Sequence, residues 1–246
     1  MSNKWLLFSS VGPREGQDSV AIWSQGKDRY FDMVLYYYKG DIPESSPAKC
    51  VWRTDFKYPN FAHFLENNDV SQYEAIWVVD DDIVMTTDEI NRMFAIFSEQ
   101  GLWLAQPACD ENSHITVPIT RRQPEYAVRH VNVIENGTTI YSRHIIDKCL
   151  PVFKAAQSGW GVGIIVSQII NAPYGKIGVI DQTPCHHPEG KSALDEVMPR
   201  PDHQVEGEAL MKKFGVWYIR AEQFPSSIKN IEFETQEQND EKEICL

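Results

Sequence analysis

Positive charge is scarce in this chain: 23 Lys and Arg stand against 35 Asp and Glu, a formal net charge of -12 over 246 residues. Nonspecific nucleic-acid binding rests on clustered cations, so the balance argues against DNA or RNA as a partner. Cysteine is sparse as well. Cys50, Cys109, Cys149, Cys185 and Cys245 are odd in number, widely spread and without a CxxC pair. That pattern argues against a disulfide framework or a structural zinc and suits reduced thiols in a cytoplasm. Long apolar runs are missing: Trp5 to Phe8 is far too short for a signal core or a membrane span, so no transmembrane segment is expected. There is no G-x-x-x-x-G-K-[ST] loop and no GxGxxG after the first strand. Gly159, Gly161 and Gly163 alternate in the wrong context for a dinucleotide fingerprint. Nothing in the sequence sets an oligomeric state.

What is present is ordinary globular composition, 42% hydrophobic and 24% charged, enough for one α/β core. "WLLFSSVG" reads as a strand breaking at Ser9 to Pro13, and "DSVAIWSQG" as a short helix closing on Gly26. "YFDMVLYYYKGD" is a second strand, "KYPNFAHFLENND" an amphipathic helix, and Ala75 to Val79 a buried strand. Thr86 with Glu89 forms a capping box for a helix carrying Ile90, Met93, Phe94 and Phe97, stopped by Gly101. Alternation of strand and helix predicts a mostly parallel central sheet flanked by helices in a single domain.

"GLWLAQPACDENSHITVPITRR" reads as another strand entering a polar loop, "GWGVGIIVSQII" as a Gly-rich approach to an apolar segment, "KIGVIDQTPCHHP" as a strand ending in polar groups and "EGEALMKKFG" as a late helix. In "RHVNVIENGTTIYSR", Asn136-Gly137 suggests a small hairpin. The same residues open an N-x-T sequon, and the turn reading is preferred in a chain without a secretory signal. Domain bounds are set at 1–230, with an acidic flexible tail over 231–246.

The chemistry centres on "VVDDDIVMT", where three acids follow the buried strand. The carboxyl ends of strands in an open α/β sheet are where ligands bind. Asp80 and Asp82, one residue apart, can point the same way with Asp81 pointing elsewhere. Two converging carboxylates suit Mg²⁺ or Mn²⁺, which take few protein ligands and complete their shell with water and substrate phosphates. Solvated acids ahead of a helix N-terminus are the equally weighted alternative. His186 and His187 at another strand end add an imidazole that suits Mn²⁺ better than Ca²⁺. A haloacid-dehalogenase-type phosphatase would need Thr or Ser four residues after its first Asp, and position 84 is Val.

Taken in order, "YEAIWVVDDDIVM", "EQGLWLAQPACDENSHITVPITRR", "SGWGVG" and "KIGVIDQTPCHHP" resemble a domain-of-unknown-function family. It occurs in plant proteins labelled lysine-ketoglutarate-reductase trans-splicing related, has bacterial members, and is GT-A glycosyltransferase-like. The resemblance covers about residues 5 to 190 and implies transfer from a nucleoside-diphosphate sugar, most simply a UDP-sugar, to a carbohydrate or glycan acceptor, with Mn²⁺ or Mg²⁺. It implies that Asp80 and Asp82 hold the metal, with His187 as distal ligand and His186 as the less favoured neighbour. It also sets Ser9, Ser10, Val11 and Gly12 against the nucleobase, with Lys57 assisting the phosphates. Asp81 is grouped with these nucleotide-side residues, its own role open. Trp160 and Gly161 fall on the acceptor side.

The family's "GWG" is followed by an Asp where this chain has Val162, Gly163 and Ile164. An inverting transferase needs a carboxylate base at the acceptor hydroxyl, and Asp110 and Glu111 are the substitutes by position. A noncatalytic nucleotide- or carbohydrate-binding protein and a metal-dependent phosphohydrolase are the alternatives.

Overall fold

The computed structural model describes residues 3–13, 18–190 and 194–229. The acidic tail expected over 231–246 lies outside them. In chain order the elements are β1 (Trp5–Val11), α1 (Ser19–Ser24), β2 (Phe31–Tyr37), β3 (Lys49–Trp52), α2 (Lys57–Asn67), β4 (Ala75–Asp80), α3 (Thr87–Glu99) and β5 (Leu104–Cys109). They continue with β6 (Tyr126–His130), β7 (Thr138–Ser142), α4 (Arg143–Ala155), α5 (Val162–Ile169), β8 (Ile177–Cys185), α6 (Leu194–Val197), α7 (His203–Lys213) and β9 (Ile228–Lys229).

One nine-stranded sheet runs β3-β2-β1-β4-β7-β5-β8-β6-β9. All seven residues of β1 are buried, because helices cover both faces, and a strand covered on both sides reads as a continuous apolar run. Leu6 and Phe8 pack with α2, α4 and α5 on one face. Trp5 and Leu7 pack with α1 and α3 on the other. The Thr86 capping box is formed: the Glu89 amide donates to Thr86 Oγ1 at 3.3 Å and the Thr86 amide donates to Glu89 Oε2 at 2.7 Å. No helix among the described residues is long and apolar enough to cross a membrane.

The hairpin and the end of the first strand differ from expectation, while the direction of the sheet does not. The sheet is parallel across β3-β2-β1-β4 and again at β5-β8, but β7 enters antiparallel between β4 and β5, and β6 runs antiparallel to β8 and β9. Seven of the nine strands therefore point the same way and the sheet is mostly parallel, with β7 and β6 reversed. The hairpin about Asn136-Gly137 does not form, since β6 and β7 pair with other strands. A two-residue type I′ turn needs positive φ at both central residues, and neither Asn136 nor Gly137 has it. The Gly137 carbonyl instead accepts from the Asp80 amide at 2.9 Å, and the Glu135 amide donates to Gln106 Oε1 at 2.6 Å. The first strand does not break at Ser9 but runs on to Val11. Strand β3 and helix α4 have no counterpart among the expected elements.

Candidate active site

The antiparallel bridge between Val84 and His186 builds the site. Its two backbone hydrogen bonds, Val84 N to His186 O at 2.9 Å and His186 N to Val84 O at 3.0 Å, tie the loop after β4 to the chain leaving β8. His187, next in sequence, thereby meets Asp82, with Nε2 3.6 Å from Oδ2. Asp80, Asp81, Asp82, Lys57 and His187 together line a cavity of about 480 Å³, within the usual range for small-ligand sites.

The three acids part company, as alternation suggests. Asp80 turns to Lys57, whose Nζ is 2.6 Å from Oδ1 and also donates to the Asn136 carbonyl at 3.0 Å. Asp81 turns inward, accepting from the Gly12 amide and the Tyr38 hydroxyl, both at 2.9 Å. That carboxylate braces the chain after β1 against the chain after β2, and it lines both the large cavity and a second one of about 330 Å³ beside Val11, Gly12 and Tyr37. Asp82 faces His187. Its hydrogen bond raises the imidazole to about 9, burial opposing and the charges of Asp82 and Asp80 assisting. In the metal-free protein His187 is therefore an imidazolium at neutral pH. Among the described residues no group of three or more His, Cys, Asp or Glu is arranged to hold a metal ion; Asp82 and His187 are adjacent, and Lys57 engages the third candidate ligand.

The remaining expected residues fall in different places. Ser9 is buried within β1, its hydroxyl donating to the Val79 carbonyl at 2.8 Å, whereas Ser10, which accepts from Asn60 Nδ2 at 3.0 Å, lines the large cavity. His186 points away from Asp82 toward Asp110, Nδ1 lying 3.1 Å from Oδ1. Burial disfavours the charge on Asp110, but hydrogen bonds from His186 and Ser113 outweigh it and hold the carboxyl below its ordinary value. Glu111 is exposed, and neither acid is among the residues lining the cavity.

Trp160 and Gly161 line a third cavity, of about 430 Å³. Gly159 and Gly161 both adopt positive φ, 83° and 82°, which makes the tight turn that the Gly neighbours imply. The turn is fastened to α7, where the Glu206 carboxylate accepts from the amides of Gln157 and Ser158. Trp160 is half-buried, its ring so close to Gly207 that a Cβ there would stand 1.8 Å away.

Sequence reasoning missed Glu135, whose segment was read only as a turn. Its Oε2 accepts from the Gly137 amide at 2.8 Å. Burial pushes the carboxyl above its ordinary value, with the Gly137 bond and Lys57 pulling the other way. An acid directly before an N-G pair was the available signal. His114, Tyr58 and Asn136 also line the large cavity and were not singled out.

A family model described as "Protein of unknown function (DUF707)" matches residues 1–215. The chain belongs to that family. The plant lysine-ketoglutarate-reductase-related label is no part of the description. No functionally curated protein matches this DUF707 member. Among solved structures, the S. aureus TarS 1-349 chain in complex with UDP is similar, with 11% identity and a TM-score of 0.55, covering 86% of this chain and 65% of that one. The same TarS portion in complex with UDP-GlcNAc gives 11% and 0.53 with the same coverage. A mycobacterial protein gives 11% and 0.52, covering 91% of this chain and 84% of its own. This chain thus spans just under two-thirds of TarS 1-349. At such identity the likeness shows the fold, which is GT-A-like.

Proposed function

We infer that this DUF707 protein transfers a sugar from a nucleoside diphosphate, most simply UDP, with a divalent cation at Asp82 and His187. The observation that carries the reading is the meeting of Lys57, Asp80, Asp82 and His187 in one 480 Å³ cavity at the carboxyl ends of β4 and β8. The TarS structures, of like fold, hold UDP and UDP-GlcNAc.

The donor set fits a hard cation. Mg²⁺ and Mn²⁺ use one or two carboxylates and leave the other positions to water and phosphate, and an imidazole favours Mn²⁺. Asp82 and His187 would be the protein ligands, with Asp80 held beside them by Lys57. The cation, when bound, offsets charge developing on the departing nucleoside diphosphate. Lys57, fixed by Asp80 and the Asn136 carbonyl, supplies a second positive charge beside the phosphates. Asp81 holds Gly12 and Tyr38 in place, so the nucleoside lies along Val11 and Gly12 in the 330 Å³ cavity.

A protein that binds nucleotide without transferring sugar is the second reading. The Lys57–Asp80 pair favours it by engaging one of the carboxylates.

Thermal-shift measurements test the donor site, because a ligand that binds only the folded state raises Tm. UDP with Mn²⁺ is expected to raise Tm more than either alone. Asp82→Asn and His187→Ala are expected to remove the Mn²⁺-dependent part while leaving the metal-free protein folded. Metal dependence surviving both substitutions would sink the assignment.

A further inference from the structure

The third cavity adjoins the proposed donor site, and Asn136 lines both. Its walls are largely apolar, with Ile119, Ile134, Trp160 and Tyr218 among them, and among the described residues Glu135 is the one acidic residue in its lining. Such walls suit the C–H faces of a sugar, which pack on aromatic rings, while a carboxylate suits its hydroxyls.

Glu135 connects the two cavities through one small residue. A Cβ on Gly137 would stand 3.1 Å from Glu135 Oε2 and 3.2 Å from Asp80 Oδ2. The acid at the donor site and the acid in the apolar cavity therefore approach one point from two sides, kept open because residue 137 has no side chain. Glu135 Oε2 is committed to the Gly137 amide, while Oε1 accepts no protein hydrogen bond among the described residues. The carboxylate is held in position from its backbone too: its amide donates to Gln106 at 2.6 Å and its carbonyl accepts from Thr139 Oγ1 at 3.0 Å. Gly163 contributes by letting α5 close on this segment, since a Cβ there would stand 2.2 Å from the Ile134 carbonyl oxygen. Asp110 offers no comparable arrangement, being paired with His186 and Ser113 away from both cavities.

We propose that Glu135 is the general base and that the cavity it shares with Trp160 and Tyr218 receives the acceptor sugar. The assignment rests on the donor reading above. Glu135 Oε1 takes the proton from an acceptor hydroxyl as its oxygen bonds to the anomeric carbon of the donor. The bond from that carbon to the diphosphate oxygen breaks, and the nucleoside diphosphate leaves with the electron pair. The proton ends on Glu135, and the attack from the face opposite the leaving group inverts the anomeric centre.

Glu135→Gln tests this in the full chain, because a Gln carbonyl oxygen can keep the Gly137 hydrogen bond while losing the basic oxygen. UDP release is measured with Mn²⁺ from UDP-glucose, UDP-galactose and UDP-GlcNAc, with water and then azide as acceptor. Azide carries no proton to remove. The variant is expected to match wild type in metal-free Tm and in its UDP-Mn²⁺ shift, and to release UDP to water about 100-fold more slowly or worse. Azide is expected to restore release, with a glycosyl azide product by mass spectrometry. Release to water within a few-fold of wild type overturns the proposal, as does failure of azide to restore a variant that still binds UDP. A wild type that binds UDP with Mn²⁺ yet transfers to neither acceptor removes the base and leaves the donor site standing. If UDP with Mn²⁺ shifts neither protein, the donor reading fails and the base goes with it.

Discussion

The acids of "VVDDDIVMT" show how neighbouring identical residues acquire different work from the atoms they meet. Asp80 meets an ammonium, Asp81 an amide and a phenol, and Asp82 an imidazole. The pairing of Asp82 with His187 has a measurable consequence before any metal is added. The folded imidazole lies at about 9 against an ordinary 6.5, so the pair stabilises the metal-free protein fully below about 6.5 and that contribution is lost as pH climbs through about 9. Histidine resonances followed by NMR are expected to give His187 a midpoint near 9. Asp82→Asn is expected to bring the midpoint down toward the ordinary range. A His187 titrating near 6.5 in the wild type would contradict the ion pair. Metal binding at this imidazole displaces a proton.

At the scale of elements, legibility follows how local the determinant is. Helix α3 announces itself because its capping box lies within four residues, Thr86 to Glu89, and its apolar face repeats within thirteen. Strand β3 does not, since Lys49–Trp52 is short and only partly buried at the sheet edge. The Asn136-Gly137 segment misleads for the opposite reason. Its local signal is strong, but hydrogen bonds to Asp80 and Gln106 from distant strands outweigh it. The "SGWGVG" turn was legible as a turn, while its partner was not, for α7 lies more than forty residues further on. Gly207→Ala tests that contact: the added Cβ would stand 1.8 Å from the Trp160 ring, and overpacking of this kind costs about 1–3 kcal/mol. A lower Tm with altered tryptophan fluorescence is the expected result. An unchanged Tm would mean that Trp160 does not rest on α7.

Across the whole molecule, the sheet brings together residues that the chain keeps far apart. Arg129 on β6 and Asp181 on β8 are both fully buried, Nε lying 2.8 Å and Nη2 3.0 Å from the two carboxylate oxygens. Arg129 also donates to the carbonyls of Ile119 and Arg121, so the pair anchors the loop that covers the sheet beyond β5. Burial pushes the Asp181 carboxyl up to about 6 against the pull of Arg129. Arg129→Leu leaves that carboxylate buried without its cation, and breaking such a pair costs about 3–5 kcal/mol. Urea denaturation at neutral pH is expected to show a loss of that size, and a loss below about 1 kcal/mol would show that the pair is dispensable.

The sequence by itself determined the alternation of strand and helix, the buried strand ending in acids and the second strand ending in histidines. Each of these depends on neighbours within a few residues, and the family motifs follow the same order. Only the tertiary structure decided which acid does what. The Val84–His186 bridge selects His187 over His186 for Asp82, and the insertion of β7 between β4 and β5 brings Glu135 beside Asp80. Those choices depend on hydrogen bonds between segments about a hundred and about sixty residues apart, and no pattern along the chain carries them.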